Sequence, residues 1–331
     1  MLPAPFPDEI LISRLLRHQV LSGLSISSYL KYMFGKHKKS LHPYLTGHLR
    51  TIAYHSAESE VDLLYGQTIA PLFLHFMPSY KEKISLALVS MEAAEVVRAC
   101  QLPCFRETEI LSIKFCPECA RDDANYFGVG YWHRCHQIPG IEACHKHKVW
   151  LVHIPWEGRS FLKKGFFPPL DVDSKVCTEL SCDLAVYSIG ILNQVSHHRQ
   201  QCFKISNIQQ KLRSFGYVTE IGSNRRKLIA KNLYEFTVNL QYPSSDLLPR
   251  SSTDFNYTSY ILSHDTAQHP FKYLLVDFWL SRHLVHPPTL IEDNVTKVSK
   301  SQLDNKCISL LNQGASMAEV SRQTGRSACF G

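Results

Sequence analysis

A chain of 331 residues with 44% apolar and 11% aromatic content carries enough material for two or three packed domains, and wholesale disorder is excluded. No window approaches the eighteen or more apolar residues of a membrane helix, so a membrane partner is not expected. The formal net charge of +7 permits nucleic-acid binding without establishing it, because basic groups also serve as solvated faces.

The opening residues, Met1 to Glu9, lack the basic and apolar regions of a secretory signal. With no such signal, eleven cysteines point to metal ligation and buried thiols in a reducing cytoplasm, not to a disulfide framework. Residues 7–100 then read as helices joined by short loops. Asp8 is placed to cap a first helix through about Leu21, with Ile12, Leu15, Leu16 and Val20 along one apolar stripe. Gly23 ends it, and Ser25 or Ser27 starts the next, which carries Tyr29, Leu30 and Phe34. A basic loop, G-K-H-K-K-S, offers Lys38 and Lys39 as candidate phosphate contacts. A helical stretch with Leu45, Leu49 and Ile52 follows, then one from Ser59 to Tyr65. Beyond Pro78 a long helix is expected from about Tyr80 to Arg98.

The character changes at F-C-P-E-C and A-C-H-K-H. Cys116 with Cys119, and Cys144 with His147, are two ligand pairs, each separated by two residues. Each tight turn presents two donors, and the connection lets the turns meet around a tetrahedral Zn²⁺ ion. Four protein ligands leave no open position for a reacting water, so a structural role is expected for one ion. A redox C-x-x-C needs no second pair downstream, and haem attachment would need His where Ala120 stands. Cys135, His136 and His145 lie close enough in sequence to displace one of the four. Between the pairs, Y-W-H-R-C-H-Q-I-P-G mixes aromatics with polar residues before a Pro-Gly turn and reads as a short strand. Tyr131, Trp132, Trp150 and Trp156 are expected to line this lobe.

Farther on, Cys177, Cys182, His197, His198 and Cys202 fit no closed metal motif, and D-L-A-V-Y-S-I-G-I-L-N between them reads as an amphipathic helix. Residues 206–243 have the outline of a winged or simple helix-turn-helix. One helix carries Ile208, Leu212 and Phe215 and stops at Gly216. After Y-V-T-E-I-G, a second begins near Ser223 with Arg225, Arg226 and Lys227 in its first turns. Positive charge opposes the macrodipole there, and a DNA phosphate would relieve that cost. Near the end, a helix stopping at Gly314, an S-x-x-E box at Ser316 and Glu319, and a stop at Gly325 outline a trihelical helix-turn-helix. Arg322, Arg326 and Ser327 are its candidate DNA contacts. Since Gly331 ends the chain where the reading helix should start, a missing continuation is expected to hold base-contacting residues.

P-F-P-D-E-I-L-I-S-R-L-L-R (5–17), C-P-E-C, Y-W-H-R-C-H-Q-I-P-G and C-H-K-H-K-V-W-L together resemble the TniQ/TnsD family of bacterial transposon target-selection proteins. The later H-P-F-K-Y-L-L-V-D-F-W-L (269–280) looks more like TnsD than like the shorter TniQ adaptors. The resemblance implies a mainly α fold: a helical domain (1–103), a small zinc-finger lobe with short β-strands (104–160), a helical region holding a helix-turn-helix (161–290), and a terminal helix-turn-helix (291–331). It implies recognition of an attachment site in double-stranded DNA and recruitment of a TnsC-like AAA+ ATPase, through the N-terminal helices, to direct the transposase complex. It also implies zinc on Cys116, Cys119, Cys144 and His147. A second copy of the chain is a further expected partner. The alternative is an adaptor linking an RNA-guided effector complex to the same ATPase. No phosphate loop, H-E-x-x-H, G-x-S-x-G or zinc-deaminase pattern is present, so an enzyme is not expected.

Overall fold

Glycine and serine signals close and open the first helices where the sequence places them. The computed structural model describes residues 1–105, 111–156, 166–199, 203–242, 245, 247–262, 267–282, 308–310, 312, 313 and 319. Helix α1 (Leu11–Ser22) stops at Gly23, whose φ is 66°, and the Ser25 hydroxyl accepts from the Ser28 N–H to start α2 (Ile26–Phe34). Asp8 is a correction. Ile10 occupies the N-cap of α1, while Asp8 sits in the left-handed region at φ 54° and accepts from the Cys135 N–H at 2.9 Å. The tertiary partner wins over the local cap.

Helix α3 (Leu49–Tyr54) leaves Leu45 buried in the preceding loop. Helix α4 (Glu60–Gln67) opens with a capping box in which Ser59 and Asp62 satisfy each other's backbone. Helix α5 (Ala70–Phe76) has no counterpart in the sequence reading, because a segment buried on nearly every face shows no amphipathic period. The long helix expected over Tyr80–Arg98 is two helices, α6 (Lys81–Ser90) and α7 (Ala93–Ala99), parted by extended backbone at Met91 and Glu92. Glu92 leaves the helical path to meet Lys39 at 2.7 Å and Lys36 at 3.1 Å.

Strands β1 (Ser112–Phe115) and β2 (Val152–Pro155) pair antiparallel from Ser112↔Pro155 to Phe115↔Val152, with α8 (Pro117–Phe127) directly after β1. The strand expected at Tyr131–Gly140 is absent: His133 bridges Glu9, Cys135–Gln137 is a 3₁₀ turn, and Pro139-Gly140 turns away. A side chain does the pairing instead. Gln137 accepts from the Lys114 N–H at 2.9 Å and donates to the Lys114 carbonyl at 2.7 Å, holding the loop against β1.

Helices α9 (Glu179–His197), α10 (Ile205–Ser214), α11 (Arg226–Val238), α12 (Phe255–Ile261) and α13 (Pro270–Arg282) follow. The amphipathic helix expected at 183–193 lies within α9. Gly216, at φ 73°, follows α10 as expected, but the connection to α11 carries a Val218↔Asn224 bridge. It is longer than the three- or four-residue turn of a simple helix-turn-helix.

Two large apolar cores result among the described residues. The first gathers α1–α7 with Ile113, Phe115 and Trp132, and the second gathers α9–α13 with Leu72, Phe76, Ile138, Ile141 and Ala143. The β1–β2 lobe therefore contributes to both. At the second junction Gly140 (φ 75°) has no room for a side chain, since a Cβ there would lie 2.5 Å from the Phe271 ring. Residues 288–331 form a separate unit, described only at 308–310, 312, 313 and 319, with helical backbone at 308–310, 312 and 319. Gly314, Ser316, Arg322, Gly325, Arg326 and Ser327 lie outside the described residues. Among the described residues, no helix is long and apolar enough to cross a membrane.

Candidate metal centre

Each ligand pair sits on a turn that the local sequence specifies. Cys116 ends β1 as the N-cap of α8, its sulfur accepting from the Cys119 N–H at 3.4 Å, with Pro117 at the first helical position. Cys144 and His147 lie on a tight turn closed by the Lys148 N–H donating to the Cys144 carbonyl at 3.0 Å and the Cys144 N–H donating to the Val149 carbonyl at 2.8 Å. Lys148 takes a φ of 55° there. Pairing of β2 with β1 then sets the two turns side by side.

The four donor atoms converge. His147 Nδ1 lies 3.5 Å from Cys116 Sγ, 3.3 Å from Cys119 Sγ and 3.9 Å from Cys144 Sγ, while Cys119 and Cys144 sulfurs are 3.8 Å apart. A tetrahedral zinc ion with ordinary Zn–S and Zn–N bonds has edges of about 3.6–3.8 Å, so the quartet has the size of such a site. The cysteines are buried and His147 half-buried. Three thiols this close cannot all ionise unaided. Hydrogen bonds from Cys116 and then Cys119 hold the Cys144 thiol far below its ordinary value, whereas hydrogen bonds with Cys116 and Cys144, with burial, push Cys119 far above. A divalent cation removes that conflict, and the cluster is one that can hold a metal ion of the zinc type.

Supporting groups surround it. Asp122 Oδ2 lies 3.1 Å from His147 Nε2 and accepts from Lys146 at 2.9 Å, so a carboxylate orients the ring whose other nitrogen faces the sulfurs. Asp122 was legible in principle, since it follows Cys119 by three positions on one helical face. The buried His136 places Nε2 3.9 Å from Cys119 Sγ, outside the quartet but against it. Cys135 belongs to a different group, with Asp8 and His133. Of the aromatic residues expected to line the lobe, Trp132 and Tyr131 are buried, Trp156 packs on the first core, and Trp150 packs on the second against Tyr242.

The basic candidates separate sharply. Lys39 has a side chain that is 4% exposed, and its ammonium is held by Glu92 at 2.7 Å, so it braces the α6–α7 break. Lys38 is exposed. Arg225, Arg226 and Lys227 are also exposed, clustered at the N-terminal end of α11, which has no acidic residue in its first turn.

Comparison with known proteins finds a likeness in the N-terminal part of the chain. Residues 1–151 match the TniQ family model. Over 151 residues the chain is 25% identical to the transposon Tn7 transposition protein TnsD of Escherichia coli, covering 44% of this chain and 30% of that protein. The matched stretch contains all four ligands and stops just short of β2.

Proposed function

Taking residues 1–151 as a TniQ domain, we propose that this chain is a target-site selector of a bacterial transposon. In this reading it binds an attachment site in double-stranded DNA and recruits a TnsC-like AAA+ ATPase, which directs the transposase complex to insert nearby. The TniQ match carries the reading, because it spans both the N-terminal helices and the metal quartet. Its role is non-catalytic: the quartet offers a zinc ion four protein ligands and no open position. The ion on Cys116, Cys119, Cys144 and His147 is zinc, and it fixes the lobe between the two cores.

DNA contact falls to exposed basic groups, foremost Arg225, Arg226 and Lys227 at the start of α11, with Lys38 as a further contact. Backbone N–H groups at that helix end add donors for the same phosphate. Affinity then falls steeply with salt, and base readout appears as preference over random competitor. The test is a footprint of the full 331-residue chain on host chromosomal DNA. A protected site is expected. In Arg225→Ala with Arg226→Ala the salt slope should flatten by about one unit for each phosphate no longer neutralised. Binding without any preferred site, joined by co-purification of an RNA-guided complex, would replace direct recognition with the adaptor reading.

A further inference from the structure

We propose that Asp8, His133 and Cys135 form a second metal site, separate from the quartet, that takes a divalent cation of the zinc class. One oxygen, one nitrogen and one sulfur donor from these residues all lie within 4.8 Å of one another. His133 Nδ1 is 3.9 Å from Asp8 Oδ2. The mixed donor set is of the borderline kind that zinc accepts and that magnesium and calcium do not.

Two features show the group to be built in advance. First, backbone pairing fixes residues far apart in sequence: Ile10 N–H donates to the Trp132 carbonyl at 3.0 Å, Arg134 N–H donates to the Asp8 carbonyl at 2.7 Å, and Glu9 bridges His133. Asp8 accepts its positive φ within this ladder, which turns its carboxylate onto the Cys135 N–H. Second, the far nitrogen of His133 is already held by a carboxylate, with Nε2 2.7 Å from Asp123 Oδ2. That leaves Nδ1 as the ligand atom and reproduces the carboxylate–histidine–metal arrangement common at zinc sites.

Charge is accommodated as well. Carboxylate and thiolate together neutralise a divalent ion, with the Cys135 thiol proton released to solvent as the metal–sulfur bond forms. The nearest cation, Arg134, directs its outer nitrogens elsewhere, to the Tyr65 carbonyl at 2.6 Å and Ser196 Oγ at 3.4 Å. Its Nε faces the other Asp8 oxygen, Oδ1, at 3.6 Å. The three donors line a cavity of 780 Å³ that also receives His136, whose buried Nδ1 has no hydrogen-bond partner. A fourth coordination position therefore faces this cavity. The ion's effect on the fold is to clasp the N-terminal segment to the metal lobe, making that junction metal-dependent at a second point.

Cobalt(II) titration of the full chain, followed by its visible absorption, tests the assignment. Two equivalents are expected. One shows the intense sulfur-to-cobalt band of three thiolates and is lost in His147→Ala. The other carries a band of about a third that intensity and is lost in Cys135→Ser, with the first spectrum unchanged. Asp8→Asn, a milder change at a partly exposed carboxylate, should weaken the second equivalent at least about tenfold while circular dichroism stays that of the wild type; it decides the matter if Cys135→Ser misfolds. Uptake of a single equivalent by the wild type, or a second equivalent indifferent to Asp8→Asn in a folded protein, overturns the proposal.

Discussion

Between residues 111 and 156, two four-residue strands and one helix enclose a small buried cluster of Cys116, Cys119, Cys144, Val149 and Leu151. Around α13, by contrast, nine of thirteen residues are buried, among them Phe271, Tyr273, Leu274, Phe278 and Trp279, packed on α9–α12. The helical region has apolar area enough to order itself. The lobe does not, and it draws stability from two outside sources. It lends Ile113, Phe115 and Trp132 to one core and Ile138, Ile141 and Ala143 to the other, and its own centre is a Cys/His quartet that can hold a metal ion. The two regions should therefore fail differently.

The largest expected effect is removal of a ligand. His147→Ala or Cys116→Ser leaves buried thiols without their ion, and structural zinc contributes about 10 kcal/mol or more to the folding of small domains. Zinc content, about one ion per chain at the quartet, should fall away, and limited proteolysis should cut within 111–156. A chelator should reproduce both results on the wild type. Unchanged zinc and unchanged melting would show that the four atoms do not hold the lobe. The next effect belongs to the other region. Trp279→Ala removes a 2% exposed ring packed on Tyr217 and should cost about 3–5 kcal/mol by chemical denaturation. Zinc content should not change, because the cavity opens in a core that needs no metal. A joint loss of zinc and stability would instead show the two regions to be one cooperative unit.

The contrast also explains what was legible in the sequence. The quartet was, because ligand spacing is a covalent property and survives any packing. Gly23, Ser25 and Gly216 were too, since their roles are local. Three of the misreadings involve a side chain called away by something distant in sequence, whereas α5 was missed because it is buried on nearly every face. Asp8 left a helix cap for Cys135, Gln137 took over strand pairing, and Glu92 broke a helix to reach Lys39. Arg14 and Arg17 follow the same pattern. They lie on an apolar-looking helix yet are buried, paired with Glu58 and Glu9 at 2.7 Å each. Periodicity cannot report such pairs, because a buried charge and an exposed one look alike until the partner is known.

The smallest effect concerns the ion pair of Lys39 with Glu92. Its hydrogen bond to Glu92, helped by Lys36, pushes the Glu92 carboxyl down to about 2 from an ordinary value of 4.5. A carboxyl held low in the folded state adds stability that is fully present above the unfolded value and is lost as pH falls through the folded one. Wild-type protein should therefore lose an increment of stability between about pH 4.5 and 2, and Glu92→Gln should show a shallower acid slope across that window. Because Glu92 is nearly half exposed, solvent screens the pair and the increment stays small. Lys39→Met should match Glu92→Gln in acid unfolding while leaving the salt dependence of DNA binding unchanged. A flattened salt slope in Lys39→Met would return that lysine to the phosphate backbone, and with it the loop from Gly35 to Ser40.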